Sequence, residues 1–146
     1  MKGKEDAAVK MMIAGANCAQ SVLCNFCEEL GLEKGRAQKL ASGFGAGMGR
    51  EQEICGAVTG GIMAIGLKHG QSHEGDKEAK ERTYRLTREL MARFASEFGS
   101  CLCRELLPGC DLASEEGQKK YREENWAEKV CRPCVRGAVR ILEEIL

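Results

Sequence analysis

The chain has 146 residues, 43% of them apolar, and carries 22 Lys+Arg against 22 Asp+Glu. That apolar share can fill one domain core without disulfide staples. Balanced charge and only seven aromatic residues (one Trp, two Tyr, four Phe) exclude the basic, stacking face of a nucleic-acid binder. The longest apolar stretch, residues 54–67, is interrupted by Thr59 and four glycines and is too short to cross a bilayer.

The pattern is helical nearly throughout and predicts an all-α fold, a single domain over 1–146 built as a bundle of about five to seven helices. The mixed-charge start and the short apolar piece 11–14 do not make a secretory signal, so the expected compartment is the cytoplasm. Residues 5–15 suit a first helix. Asn17 opens a second, with Gln20 at capping-box spacing. Ala19, Val22, Leu23, Phe26 and Leu30 form its inward stripe, and Gly31 ends it. A third helix covers 33–42. Glycine then takes every second position from Gly43 to Gly49, which implies either positive φ or close approach to something. It is not a nucleotide loop: no Gly-Lys-Ser/Thr follows, and Arg50 stands where a dinucleotide fingerprint needs its third glycine.

Residues 55–68 predict a fourth helix of small residues, packed closely against another helix or a prosthetic group. A polar loop fills 70–76, and the longest helix spans 77–98. Its core stripe is Thr87, Leu90, Met91, Phe94 and Phe98, and Glu81/Arg85 and Glu89/Arg93 pair on its wet side. Pro108, Gly109 and Asp111 mark a turn, and Ser114 starts another helix. The last helix, 124–146, aligns Ala127, Cys131, Cys134, Ala138, Ile141 and Ile145 on one face, suited to a bundle seam or a dimer contact.

Nine cysteines are the dominant chemical signal. In a reducing compartment thiols point to redox or metal chemistry before structure. Cys18 and Cys55 fall at predicted helix starts, where free N–H groups favour thiolate, so both are candidates for a lowered pKa. Cys24 and Cys27 form a CxxC expected to point away from or flank the core stripe, as a surface dithiol or accessory metal site. Cys131 and Cys134 form a second on the core face, loosened by Pro133. Their separation and expected difference in burial argue against one shared zinc site. Glu28 and Val135 follow the two motifs where covalent haem attachment needs His, so none is expected. Cys101 and Cys103 form a CxC that a turn could aim at one ion, and Cys110 is expected to be exposed. His69 and His73 read as solvated loop residues, and the acidic pairs 28–29, 123–124 and 143–144 as solvent-facing.

Five pieces together carry a resemblance: Asn17-Cys-Ala-Gln20, Ala41-Ser-Gly-Phe-Gly-Ala-Gly-Met-Gly-Arg50, Cys55-Gly-Ala-Val-Thr-Gly60, Phe98-Gly-Ser-Cys-Leu-Cys-Arg-Glu-Leu-Leu107 and Cys131-Arg-Pro-Cys-Val135. In this order the chain resembles the redox-active family named for four cysteines and a CGAxxG-type motif. The family comprises small, mostly helical bacterial and archaeal proteins, with a related domain in split-Soret-type cytochromes. The resemblance implies that the four family cysteines are Cys18, Cys55, Cys103 and Cys131. It implies electron transfer or redox sensing through a cysteine-bound iron–sulfur or other metal centre, with those four as ligands. Gly45, Gly47, Gly49 and Gly56 would approach that centre, and backbone N–H groups of the glycine loop would bond its sulfurs. A redox partner protein is then expected. Two other readings compete: a thiol–disulfide oxidoreductase using Cys18 or Cys55 with a resolving cysteine, and a helical interaction module with incidental thiols.

Overall fold

The computed structural model describes residues 3–146. The elements in chain order are α1 (Gly3–Ile13), α2 (Cys18–Leu23), α3 (Lys34–Leu40), α4 (Gly45–Met48), α5 (Gly56–His69), α6 (Lys77–Phe98), α7 (Cys103–Leu106), α8 (Glu115–Glu123) and α9 (Arg132–Ile145), the last preceded by a π turn, Ala127–Cys131. The fold is all-α. Among the described residues no strand forms, only one isolated antiparallel bridge between Ile54 and Leu102.

Helix α5 lies at the centre, with α2, α6 and α9 packed round it and α1 laid on α9. Its small side chains allow this. A Cβ on Gly60 would come within 2.5 Å of the Ala19 carbonyl oxygen, so α2 and α5 meet backbone to backbone. Phe94, Leu90, Ile65, Val139 and Leu142 are fully buried where α5, α6 and α9 meet. Each such side chain contributes roughly 1.5–3 kcal/mol of burial. Ion pairs Arg136–Asp6, Arg140–Glu97 and Arg93–Glu144 tie the rim of α9 to α1 and α6. Being exposed, they add little beside the core. On α6 the Glu89–Arg93 pair closes at 3.7 Å, while Glu81 and Arg85 form none.

Helix α2 is shorter than its sequence suggests. Its capping box forms as expected, with Asn17 accepting from Gln20 N and the Gln20 side chain accepting from Asn17 N. But it stops at Leu23 rather than running to Gly31. Ser21 Oγ donates to the Asn17 carbonyl and Asn25 Nδ2 to that of Ser21, at 2.8 and 2.7 Å, and such side-chain bonds compete with helix propagation. The segment after it tightens into turns that fold both sulfurs of the Cys24–Cys27 motif inward, to 8% and 0% exposure. They are a buried dithiol, not a surface one. Cys110, expected in an open loop, is likewise buried, its Sγ donating to the Gly117 carbonyl. His69 closes α5 instead of lying in the loop, and burial lowers its pKa. His73 and the three acidic pairs face solvent as expected.

Candidate redox site

A second, smaller hydrophobic cluster of Cys103, Leu107, Cys110 and Leu112 sits beside the main core. Along the seam runs a cavity of about 430 Å³. Cys18, Cys55, Cys103, Cys131 and Cys134 all line it. They come from the start of α2, the start of α5, the start of α7 and, for the last two, the π turn and the helix it leads into, so four stretches far apart along the chain contribute.

Each placement has a local cause. The Asn17 capping box fixes the first turn of α2 and so Cys18. A Cβ on Gly56 would approach the Cys18 sulfur to 3.2 Å, so glycine lets α5 carry Cys55 alongside it. The Ile54–Leu102 bridge pins Cys55 and Cys103 to a common frame: Cys55 N donates to the Cys101 carbonyl and Cys103 N to that of Glu53, both at 2.7 Å. Pro133 has no N–H to extend a regular helix backward. The chain widens there into the π turn, in which Arg132 N bonds the Ala127 carbonyl and Cys131 swings to the cavity. Cys101 points the other way, its Sγ on the Met91 carbonyl at 3.4 Å. The CxC therefore does not present two sulfurs to one centre.

The glycine stretch forms the adjoining wall. Gly45 packs on Asn17, where a Cβ would come within 2.7 Å of that side chain. From Ala46 to Arg50 five consecutive residues have positive φ, namely 54°, 66°, 71°, 59° and 71°. Left-handed backbone costs an L-residue about 1–2 kcal/mol, so Ala46, Met48 and Arg50 are held there by their surroundings. The turn brings the Ala46 N–H to the Cys18 sulfur. Gly47 and Gly56 line the cavity, whereas Gly45 and Gly49 stand outside its lining.

The Tyr121 hydroxyl donates to the Cys131 sulfur at 3.4 Å, and polar groups near the other three, the Ala46 N–H at Cys18, the Ala57 and Val58 N–H groups at Cys55 and the Gln52 side chain at Cys103, each favour the thiolate. Gln52 is 7% exposed, and its Oε1 is fixed by Leu112 N at 2.9 Å. Its Nε2 has no fully formed hydrogen bond and stands beside Cys103, a donor awaiting a negatively charged sulfur.

The expected low-pKa thiolates at Cys18 and Cys55 are not found. Burial first, and then neighbouring Cys55, pushes Cys18 up to about 12. A hydrogen bond with Cys134 and then burial push Cys55 well above the usual range. Burial and adjacent sulfurs raise Cys103 and Cys131 to about 12 as well. The helix-start N–H groups do lower the values, but four sulfurs withdrawn from water into one space outweigh them. Among the described residues no three His, Cys, Asp or Glu side chains stand so as to hold one metal ion.

Cys134, Tyr121 and Gln52 join the site without having been singled out for it. The i,i+3 spacing from Cys131 held a signal for Cys134. Nothing local marks the other two, which reach the cavity only through tertiary packing.

These features define a helical protein with a buried, multi-thiol cavity. The chain belongs to the family described as "Putative redox-active protein (C_GCAxxG_C_C)", whose model matches residues 16–145. An uncharacterized protein of Archaeoglobus fulgidus is 27% identical over 124 residues, covering 80% of this chain and 82% of the relative. No solved structure matches. No helix among the described residues is long and apolar enough to cross a membrane.

Proposed function

We propose that the protein carries electrons or senses redox state through an iron–sulfur cluster or related thiolate-bound metal centre held by Cys18, Cys55, Cys103 and Cys131. The observation that carries this reading is the meeting of those four thiols at one cavity, with the Tyr121 hydroxyl bonded to one of them and N–H groups near the others. When bound, such a centre would supply one-electron chemistry. The protein's own part is to exclude water, to neutralise sulfur charge through Ala46, Ala57, Val58, Gln52 and Tyr121, and thereby to raise the reduction potential. A reducing compartment such as the cytoplasm would keep the thiols available.

Anaerobic purification of the untagged chain tests this. We expect brown protein with charge-transfer absorption, and iron and acid-labile sulfide in comparable amounts. Both should be lost in Cys55→Ser and Cys103→Ser. Colourless anaerobic protein without metal would overturn the reading.

The contact between Cys55 and Cys134 favours a second reading, thiol–disulfide exchange. Cys55 thiolate would attack a substrate disulfide and release one thiol. Cys134 would then attack the mixed disulfide, release the second thiol and leave a Cys55–Cys134 bond, the two protons passing to the departing thiolates. The raised pKa of Cys55 disfavours that attack near neutral pH. Rapid labelling of Cys55 at pH 7 in metal-free protein would promote this reading over the first.

A further inference from the structure

The cavity has a second chemical character that its sulfurs do not account for. Its charged lining residues are Arg50, Arg122 and Arg132, with no Asp or Glu among them. Yet the whole chain is electrically balanced. Of the eight arginines elsewhere, four pair with carboxylates among the described residues, Arg93 with Glu144, Arg104 with Glu53, Arg136 with Asp6 and Arg140 with Glu97, while Arg36, Arg82, Arg85 and Arg88 do not. Among the described residues, none of the three cavity arginines forms an ion pair. Arg50 and Arg122 are exposed and Arg132 half-buried, so this charge is within reach of solvent. The cavity also has aliphatic walls, including Leu106, Leu112 and Val130.

Three elements supply these guanidinium groups: the left-handed turn, α8 and the start of α9. They reach one cavity lining from three parts of the fold, not from a run of basic sequence. Guanidinium pairs carboxylate, sulfonate and phosphate oxygens through two parallel hydrogen bonds. The cavity, about 430 Å³ and open at one side, is of a size for a small molecule.

We propose that the mouth of the thiol cavity is a binding site for a small dianion, its oxyanionic groups held by Arg50, Arg122 and Arg132 and its short apolar body against Leu106, Leu112 and Val130. The site would deliver such a molecule to the sulfur-lined end, or gate access to it. It stands whether or not the four thiols hold metal.

Calorimetric titration of the anaerobically purified full chain with succinate, at low ionic strength, tests the site, with neutral succinamide as control. Succinate should bind and succinamide should not, and added salt should weaken binding because Arg50 and Arg122 are exposed. Arg50→Gln/Arg122→Gln should weaken succinate by about tenfold or more, as expected when charge-assisted bonds are removed. Arg88→Gln, an exposed arginine on α6, should leave it unchanged. A second readout needs no natural ligand. In metal-free reduced protein, anionic iodoacetate should gain on neutral iodoacetamide in labelling the cavity thiols, and the double variant should lose that preference. No succinate binding together with an unchanged labelling ratio would overturn the proposal, as would equal weakening by Arg88→Gln. Visible absorption of the same samples reports the metal centre separately, so loss of one property is distinguishable from loss of the other.

Discussion

At Cys131 a side chain from another helix decides the sulfur's chemistry. The Tyr121 hydroxyl donates to it at 3.4 Å, and burial raises the pKa of that hydroxyl, so it stays a donor at any physiological pH. Tyr121→Phe should make the reduction potential of a bound centre more negative, with iron content retained, as measured by anaerobic redox titration. The buried dithiol behaves differently because it lies away from the cavity. Burial and then Cys27 raise Cys24 from 9.0 to about 11. A pKa raised on folding means that the native state holds its proton more tightly. That contribution to stability is complete below pH 9 and disappears as pH climbs through about 11. In metal-free protein the urea midpoint should therefore fall across that window, and less steeply in Cys24→Ala. An equal fall in both proteins would assign the effect to other groups.

Among the elements, the left-handed run from Ala46 to Arg50 holds a shape that L-residues resist, and it does so against the Cys18 sulfur. Gly47 has φ 66°, and a Cβ there would meet the Gln52 backbone at 2.6 Å. Gly47→Ala should cost more than about 1 kcal/mol, a melting decrease of roughly 2–4 °C or more in a chain of this size. Ala46→Gly removes a methyl from a residue at φ 54° and should raise the melting temperature. If Ala46→Gly instead lowered it, the strain attributed to this turn would be absent. The π turn before α9 is the corresponding device on the opposite wall. There a proline without an N–H makes a widened turn the natural entry to the helix, and Cys131 rides on it.

Across the whole molecule, two hydrophobic clusters meet at the cavity, and a bound centre would tie them together. Phe94, Leu90, Val139 and Leu142 belong to the main core, while none of them lines the cavity. Removing the centre with chelator should therefore lower the melting temperature substantially while far-UV helicity at 20 °C stays near its original value. Collapse of helicity on metal removal would mean that the centre, and not the aliphatic core, holds the bundle.

The sequence by itself determined the helical class, the extent of the longest helix, the Asn17 capping box and the identity of the family. These follow from local periodicity, caps and ordered motifs, which short-range physics writes directly into the chain. The alternating glycines were legible as a demand for close approach or positive φ, and Gly45 and Gly47 supply one instance of each. Tertiary structure alone decided which sulfurs share a space. Cys101 and Cys103 are two residues apart and diverge, whereas Cys18 and Cys131 are more than a hundred apart and line the same cavity. It also reversed the expected acidity of Cys18 and Cys55, because a thiol's pKa depends on the water removed and the charges gathered around it. Helix-start geometry favours the anion by local dipoles, and the surroundings that outweigh those dipoles come from segments distant in sequence.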